Sequence, residues 1–143
     1  GIRKFGAICV DDIGVGGGVT DALKRYPGWR HKVVGVNVSL RVDDGRNYNL
    51  RAQLVYNANQ WLKDGPNHLP ADPELKTQVC AIQKEYRGGL ILIESKEDMR
   101  KRGVKSPDRA DSYFLTFGSP AIEDDDDQPV HEPFVPADAG VGY

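Results

Sequence analysis

The stretch Phe5-Gly6-Ala7-Ile8-Cys9-Val10-Asp11-Asp12-Ile13-Gly14-Val15-Gly16-Gly17-Gly18-Val19 decides the fold class. Phe5 to Val10 is a short apolar run with Ile, Cys and Val, the composition of a buried strand, and it ends at Asp11. Gly14, Gly16, Gly17 and Gly18 follow, and so dense a run of glycine marks a tight loop with unusual backbone angles. A helix is predicted from near Val19 to Arg25 or Tyr26, stopped by Pro27-Gly28. Strand, glycine turn and helix in that order begin an α/β domain. A helix N-terminus behind a glycine turn offers free N–H groups to a phosphate. The specific fingerprints fail, however. Val19 stands where a dinucleotide-binding turn needs a third Gly or Ala, and no Lys follows the glycines until Lys24, which excludes a P-loop. The glycines therefore read as a turn that lets the helix pack closely on the sheet.

Outward from this unit, His31 to Val38 reads as a second strand. Leu50, Leu54, Ala58, Trp61 and Leu62 recur at helical spacing and predict a helix ended by Asp64-Gly65-Pro66. Asp72-Pro73 opens another, with Asp72 as N-cap and Pro73 at the first helical position. Ala81–Arg87 and Leu90–Ile93, joined by Gly88-Gly89, predict a hairpin. Glu94 to Arg102 reads as a charged helix closed by Gly103. Ser106 as N-cap and Pro107 at the first position predict a last helix through about Phe117. Strands alternating with helices imply an α/β class with a partly parallel sheet. Residues 1–118 form the predicted domain, and 119–143, rich in Pro, Asp and Gly, are expected to be a flexible acidic tail.

At 143 residues the chain holds one modest domain. Its 39% hydrophobic and 28% charged residues fit a globular protein. No apolar run reaches the roughly 18 residues of a membrane span, and Gly1 to Val10 does not read as a signal peptide. The net charge of −2 hides an asymmetry: residues 123–143 hold seven of the 21 acids and no Lys or Arg. Residues 1–122 therefore set 19 bases against 14 acids, a balance that permits a polyanionic partner. Cys9 and Cys80 both stand among apolar neighbours and read as small buried hydrophobes of a reducing compartment. Neither has a second Cys or His at zinc-ligand spacing.

Three places carry candidate chemistry. Asp11 lies at the C-terminal end of a predicted strand, where open α/β sheets place their sites, and Asp12 beside it is expected to point the other way. Asp108 and Asp111 are three apart at a predicted helix start and share a face. Carboxylate oxygens of that kind suit Mg²⁺ or Mn²⁺, while a single acid at a helix N-terminus is an ordinary dipole partner. Lys96 follows a strand end and reads either as a charge stabiliser facing the same site or as part of a solvated helix. His31 and His68 lack matching partners and read as structural.

The segments Val10 to Val19, Val34-Gly35-Val36-Asn37, Tyr48-Asn49-Leu50-Arg51-Ala52-Gln53, Leu69-Pro70, Glu94-Ser95-Lys96-Glu97-Asp98-Met99 with Arg102-Gly103, and Ser106-Pro107-Asp108-Arg109-Ala110-Asp111 together follow one family order. In that order the chain resembles the nuclease domain of tailed-phage large terminases, over about Phe5 to Phe117. The resemblance implies an RNase H-like (RuvC-like) mixed sheet flanked by helices. It also implies a divalent-metal endonuclease that cuts concatemeric double-stranded DNA with two Mg²⁺ or Mn²⁺ ions. By the resemblance, Asp11 is the second acid of the metal site, Asp108 and Asp111 form the third cluster, and Lys96 is a lysine near the active site. Lys96, Arg100, Lys101, Arg102 and Lys105 would grip the DNA backbone without reading sequence.

The family domain opens with a strand carrying a first acid, two further strands and a helix. Gly1 stands beyond these, so the chain reads as the C-terminal part of such a domain, with weak or absent cleavage expected from it alone. The resemblance also implies portal protein and small terminase subunit as partners, and the host cytoplasm during phage assembly as the place of action. An exposed sheet edge would favour self-association. The run Asp124 to Asp127 would repel DNA and is expected to lie away from it or to meet a protein. The alternative function is an inactive fragment that serves as a docking module for packaging proteins.

Overall fold

The computed structural model describes residues 6–14 and 16–118. The acidic tail from residue 119, with its Asp124 to Asp127 run and His131, lies outside the described residues, as do Phe5 and Val15. The elements in chain order are β1 (Ile8–Asp11), α1 (Gly16–Lys24), β2 (Val33–Val36), α2 (Leu50–Lys63), α3 (Pro73–Ala81), β3 (Lys84–Arg87), β4 (Leu90–Ile93), α4 (Lys96–Lys101) and α5 (Asp108–Leu115), with a 3-10 turn at Thr116–Gly118.

Strands β1 and β2 pair in parallel, Ile8 opposite Val33 and Asp11 opposite Val36, with α1 as the crossover. Strands β3 and β4 form the antiparallel hairpin, Lys84 opposite Ile93, turning at Gly88 and Gly89, both with positive φ. The parallel and antiparallel pairs are separate two-stranded sheets among the described residues, and β2 stops at Val36, two residues short of the expected Val38.

The glycine turn has a measurable reason. A Cβ on Gly16 would sit 1.7 Å from the Asp11 carbonyl oxygen. Only glycine lets the helix begin this close to the strand end, so α1 starts at Gly16, three residues before the expected Val19. Helix α2 is capped by Asn49, whose side chain accepts from Ala52 N, and α3 by Asp72, which accepts from Glu74 N and Leu75 N. Helix α4 is shorter than the expected 94–102: Ser95 is its N-cap, accepting from Asp98 N, and Glu94 is committed elsewhere.

The start of α5 departs from expectation. Pro107 is the N-cap residue and gives no side-chain cap, while the Ser106 hydroxyl donates to Asp108 Oδ1 at 2.6 Å. The open N–H groups of Arg109 and Ala110 are instead taken by Gln78 Oε1 of α3, at 2.9 and 3.1 Å.

Helix α5 is the centre of the core. Ala110 and Phe114 are buried with Val36, Leu54, Ala58 and Leu75, and α5 packs against α2, α3 and β1. Burying side chains such as Leu54 and Phe114 contributes about 1.5–3 kcal/mol each. Phe117 closes the end of the core with edge-on contacts to Trp61 and Tyr113. Cys9 packs against this core as expected. Cys80 does not: it is exposed on α3, because the helical turn that directs Val79 inward carries the next residue about 100° round to solvent.

Candidate active site

Helix α5 presents Asp108 and Asp111 in its first turn, where the helix dipole favours acids. Lys96 is the first residue of α4 and reaches both: its Nζ is 3.0 Å from Asp111 Oδ2 and 3.7 Å from Asp108 Oδ1. The other oxygen of Asp111 is held from α2. Arg51 Nη2 donates to Asp111 Oδ1 at 3.1 Å, and Arg51 Nη1 donates to the Glu94 carbonyl at 2.7 Å. Asp111 thus bridges two cations on two helices, with its side chain 23% exposed, whereas Asp108 is 77% exposed. The structure brings Lys96, Asp108 and Asp111 together.

Arg51 was quoted in the sequence pattern without a role. Its signal is its place in the first turn of α2, where the helix dipole disfavours a cation and makes a carboxylate partner favourable. Glu94 was also overlooked as a fixed point. It is buried at the end of β4 and accepts from Gln83 N at 2.8 Å. Arg102 Nε and Nη2 donate to its two oxygens at 3.1 and 2.6 Å. The Arg102 hydrogen bonds outweigh desolvation and hold the Glu94 carboxyl below its ordinary range. Arg102 also donates to the Ala81 carbonyl, so α3, the end of β4 and the end of α4 are tied at one point.

Other expected residues lie apart from this cluster or are engaged locally. Asp11 is exposed at the end of β1 and accepts from Ile13 N at 3.3 Å. Helix α5 packs against β1, but among the described residues no hydrogen bond or ion pair joins Asp11 to Lys96, Asp108 or Asp111. Asp12 diverges toward α1, accepting from the buried Thr20 hydroxyl at 3.0 Å. On α4, Lys101 is paired with Asp98 at 2.9 Å and Glu97 at 3.6 Å, and Arg100 Nε donates to the Lys96 carbonyl. Lys105 is exposed. Among the described residues, no group of three or more His, Cys, Asp or Glu side chains gathers closely enough to hold a metal ion. The two-carboxylate face of α5 is the arrangement present.

No protein-family model and no curated protein matches the sequence. Among solved structures, the chain superimposes on the nuclease domain of the large terminase subunit of bacterial virus Sf6, a lysine-to-alanine variant determined with manganese and β-thujaplicinol. The TM-score is 0.64 at 19% identity, over 81% of this chain. It has the RNase H-like fold of a terminase nuclease domain. The matched region spans 66% of the length of the Sf6 chain.

Proposed function

We propose that the chain is the nuclease part of a phage DNA-packaging terminase, acting on double-stranded DNA by metal-dependent phosphodiester hydrolysis. The observation that carries this reading is the Lys96–Asp111–Arg51 bridge, set in a fold shared with a terminase nuclease domain. The donor chemistry fits a hard divalent cation. Asp108 and Asp111 offer only oxygen, and Mg²⁺ commonly takes one or two carboxylates and fills its shell with water and substrate phosphate. Asp111 and Asp108 would hold Mg²⁺ or Mn²⁺. Bound as a pair, such ions supply an activated water and stabilise the leaving oxygen.

The chain's own residues would do the positioning. Arg51 fixes one oxygen of Asp111 and thereby the direction of the other. The Lys96 ammonium, 46% exposed by side chain, stands where a phosphodiester approaching the carboxylates would meet a positive charge. Lys96, Arg100 and Lys105 remain the α4-side groups for the DNA backbone. Portal protein and small terminase subunit are the proposed assembly partners, in the host cytoplasm during phage assembly. Among the described residues no helix is long and apolar enough to cross a membrane.

A second reading, a docking module without catalysis, is favoured by the engagement of each Asp111 oxygen by a cation of the chain's own, Lys96 or Arg51. Plasmid nicking by the 143-residue chain in Mn²⁺ decides between them. Nicking that vanishes in Asp111→Ala and Asp108→Ala supports the nuclease. No nicking, together with no effect of Mn²⁺ on thermal unfolding, supports the docking module.

A further inference from the structure

The segment between β2 and α2 is not a loose connection. Tyr48 N donates to the Ile91 carbonyl and Ile91 N to the Arg46 carbonyl, each at 2.8 Å, so residues 46–48 lie along β4 beside the hairpin. Asp44 makes the turn rigid. Its Oδ1 accepts from Arg46 N and Asn47 N, and its Oδ2 from Asn47 Nδ2 and Gln53 Nε2. These bonds, Asn47's first, hold the Asp44 carboxyl far below its ordinary range.

This stiff segment presents Tyr48 to two arginines, Arg41 from the connection between β2 and α2 and Arg87 from β3. The Arg41 guanidinium lies 3.8 Å from the Tyr48 ring centroid and that of Arg87, at the hairpin tip, 5.0 Å from it. Two like charges therefore stand within about 9 Å of each other on one ring, and both arginines are exposed. Among the described residues, neither is in an ion pair with a carboxylate, although Asp43, Asp44 and Glu85 are near in sequence. The neighbouring Arg46 repeats the pattern on Tyr56, at 4.2 Å. The two guanidinium groups, Arg87 first, draw the Tyr48 hydroxyl below its ordinary phenol value. A pair of unneutralised guanidinium groups held in fixed geometry is suited to one bridging phosphate, to which planar N–H forks bind well.

We propose that Arg41 and Arg87, clasping the Tyr48 ring, form a contact for the phosphate backbone of duplex DNA, separate from the carboxylate site. The proposal rests on the nuclease reading for its choice of partner. The placement is compatible: Arg87 pairs with Leu90, and the six backbone steps from Leu90 to Lys96 span at most about 22 Å. One helical turn of DNA is about 34 Å, so a single turn of duplex meets both places.

The test is binding of a fluorescent 30-base-pair duplex to the full chain, followed by anisotropy across a salt series without divalent metal. Arg41→Gln/Arg87→Gln is expected to bind about tenfold more weakly at low salt, with the slope of log affinity against log salt reduced by about 1–2. Thermal unfolding checks that the double variant is folded. If it is not, Arg87→Gln alone, exposed at the hairpin tip, is expected to reduce the slope by about 1. An unchanged slope with affinity within twofold overturns the proposal, as does failure of the unaltered chain to bind duplex. Reduced slopes in a chain that never nicks DNA would leave this surface standing while the catalytic reading fails.

Discussion

Asp111 and Arg51, 60 positions apart, meet at 3.1 Å, and the second arm of the same guanidinium holds the Glu94 carbonyl. One side chain thereby locks the first turn of α5, which carries Asp108 and Asp111, to the end of β4, two residues before Lys96. Arg51→Gln keeps a donor but loses the fork and the charge. We expect Mn²⁺-dependent nicking to fall about 10–100-fold, the range for groups that orient a metal ligand. Arg51→Ala should also lower stability by about 1–3 kcal/mol, because partly buried acceptors are left unpaired. Nicking rates and urea unfolding of both variants check this, and undiminished nicking in Arg51→Ala would remove Arg51 from the site.

The glycine turn gives a paired prediction. Gly16→Ala puts a methyl group into the Asp11 carbonyl, so strand end and helix start must separate. A loss of about 1–3 kcal/mol is expected, the cost of overpacking a fixed backbone contact. Gly18→Ala, two residues on in the same helix, meets nothing within 4 Å and should stabilise by up to about 1 kcal/mol through helix propensity. Urea midpoints of the two variants should move in opposite directions. A shared direction would mean that the close approach at Gly16 does not constrain the fold.

Gln78 caps α5 from another helix, and its removal separates stability from chemistry. Gln78→Ala leaves Arg109 N and Ala110 N open, and a loss of about 1 kcal/mol is expected, as for other helix caps. Since that turn carries Asp108 and Asp111, its fraying should weaken Mn²⁺-dependent nicking at temperatures where the protein is still folded. Near-ultraviolet circular dichroism alongside the nicking rate tests the coupling, and an unaltered rate would show that the first turn holds without Gln78.

What the sequence made legible was local. The strand–glycine–helix unit, the Asp72 cap and the hairpin at Gly88-Gly89 depend on neighbours a few residues away, and all three are present. Asp108 and Asp111 share a face because helical spacing requires it. The groups that complete the site do not follow from spacing. Arg51 reaches Asp111 across 60 positions, and Gln78 reaches Arg109 across 31, so only tertiary packing brings them in. The departures at Ser106 and Cys80 have the same source. Ser106 has the composition of a cap, but its hydroxyl is drawn to Asp108 while Gln78 takes the backbone donors. Cys80 has apolar neighbours, but in a helix adjacent residues face different sides.

The Glu94–Arg102 pair predicts an acid limit to stability. The folded-state pKa of Glu94 lies below its ordinary value of 4.5, chiefly because of Arg102. A group depressed in this way contributes stability that is fully present above the unfolded-state pKa, and that contribution is lost as pH falls through the folded value. The window therefore opens just below pH 4.5 and extends downward. Asp72 and Asp98 are depressed too, by backbone N–H bonds with Arg109 and by Ser95 with Lys101, so the unaltered chain should lose stability to acid in several overlapping steps. Glu94→Gln isolates one of them. It should destabilise at pH 7 by about 1–3 kcal/mol, since Arg102 loses its charged partner but keeps the Ala81 carbonyl. The stability difference between variant and unaltered chain should then shrink as pH drops below 4.5. Urea unfolding of both proteins at pH 7, 5, 4 and 3 measures it. A difference constant across that range would mean that Glu94 titrates no differently in the folded and unfolded chains, and that the tie between β4, α3 and α4 does not depend on its charge.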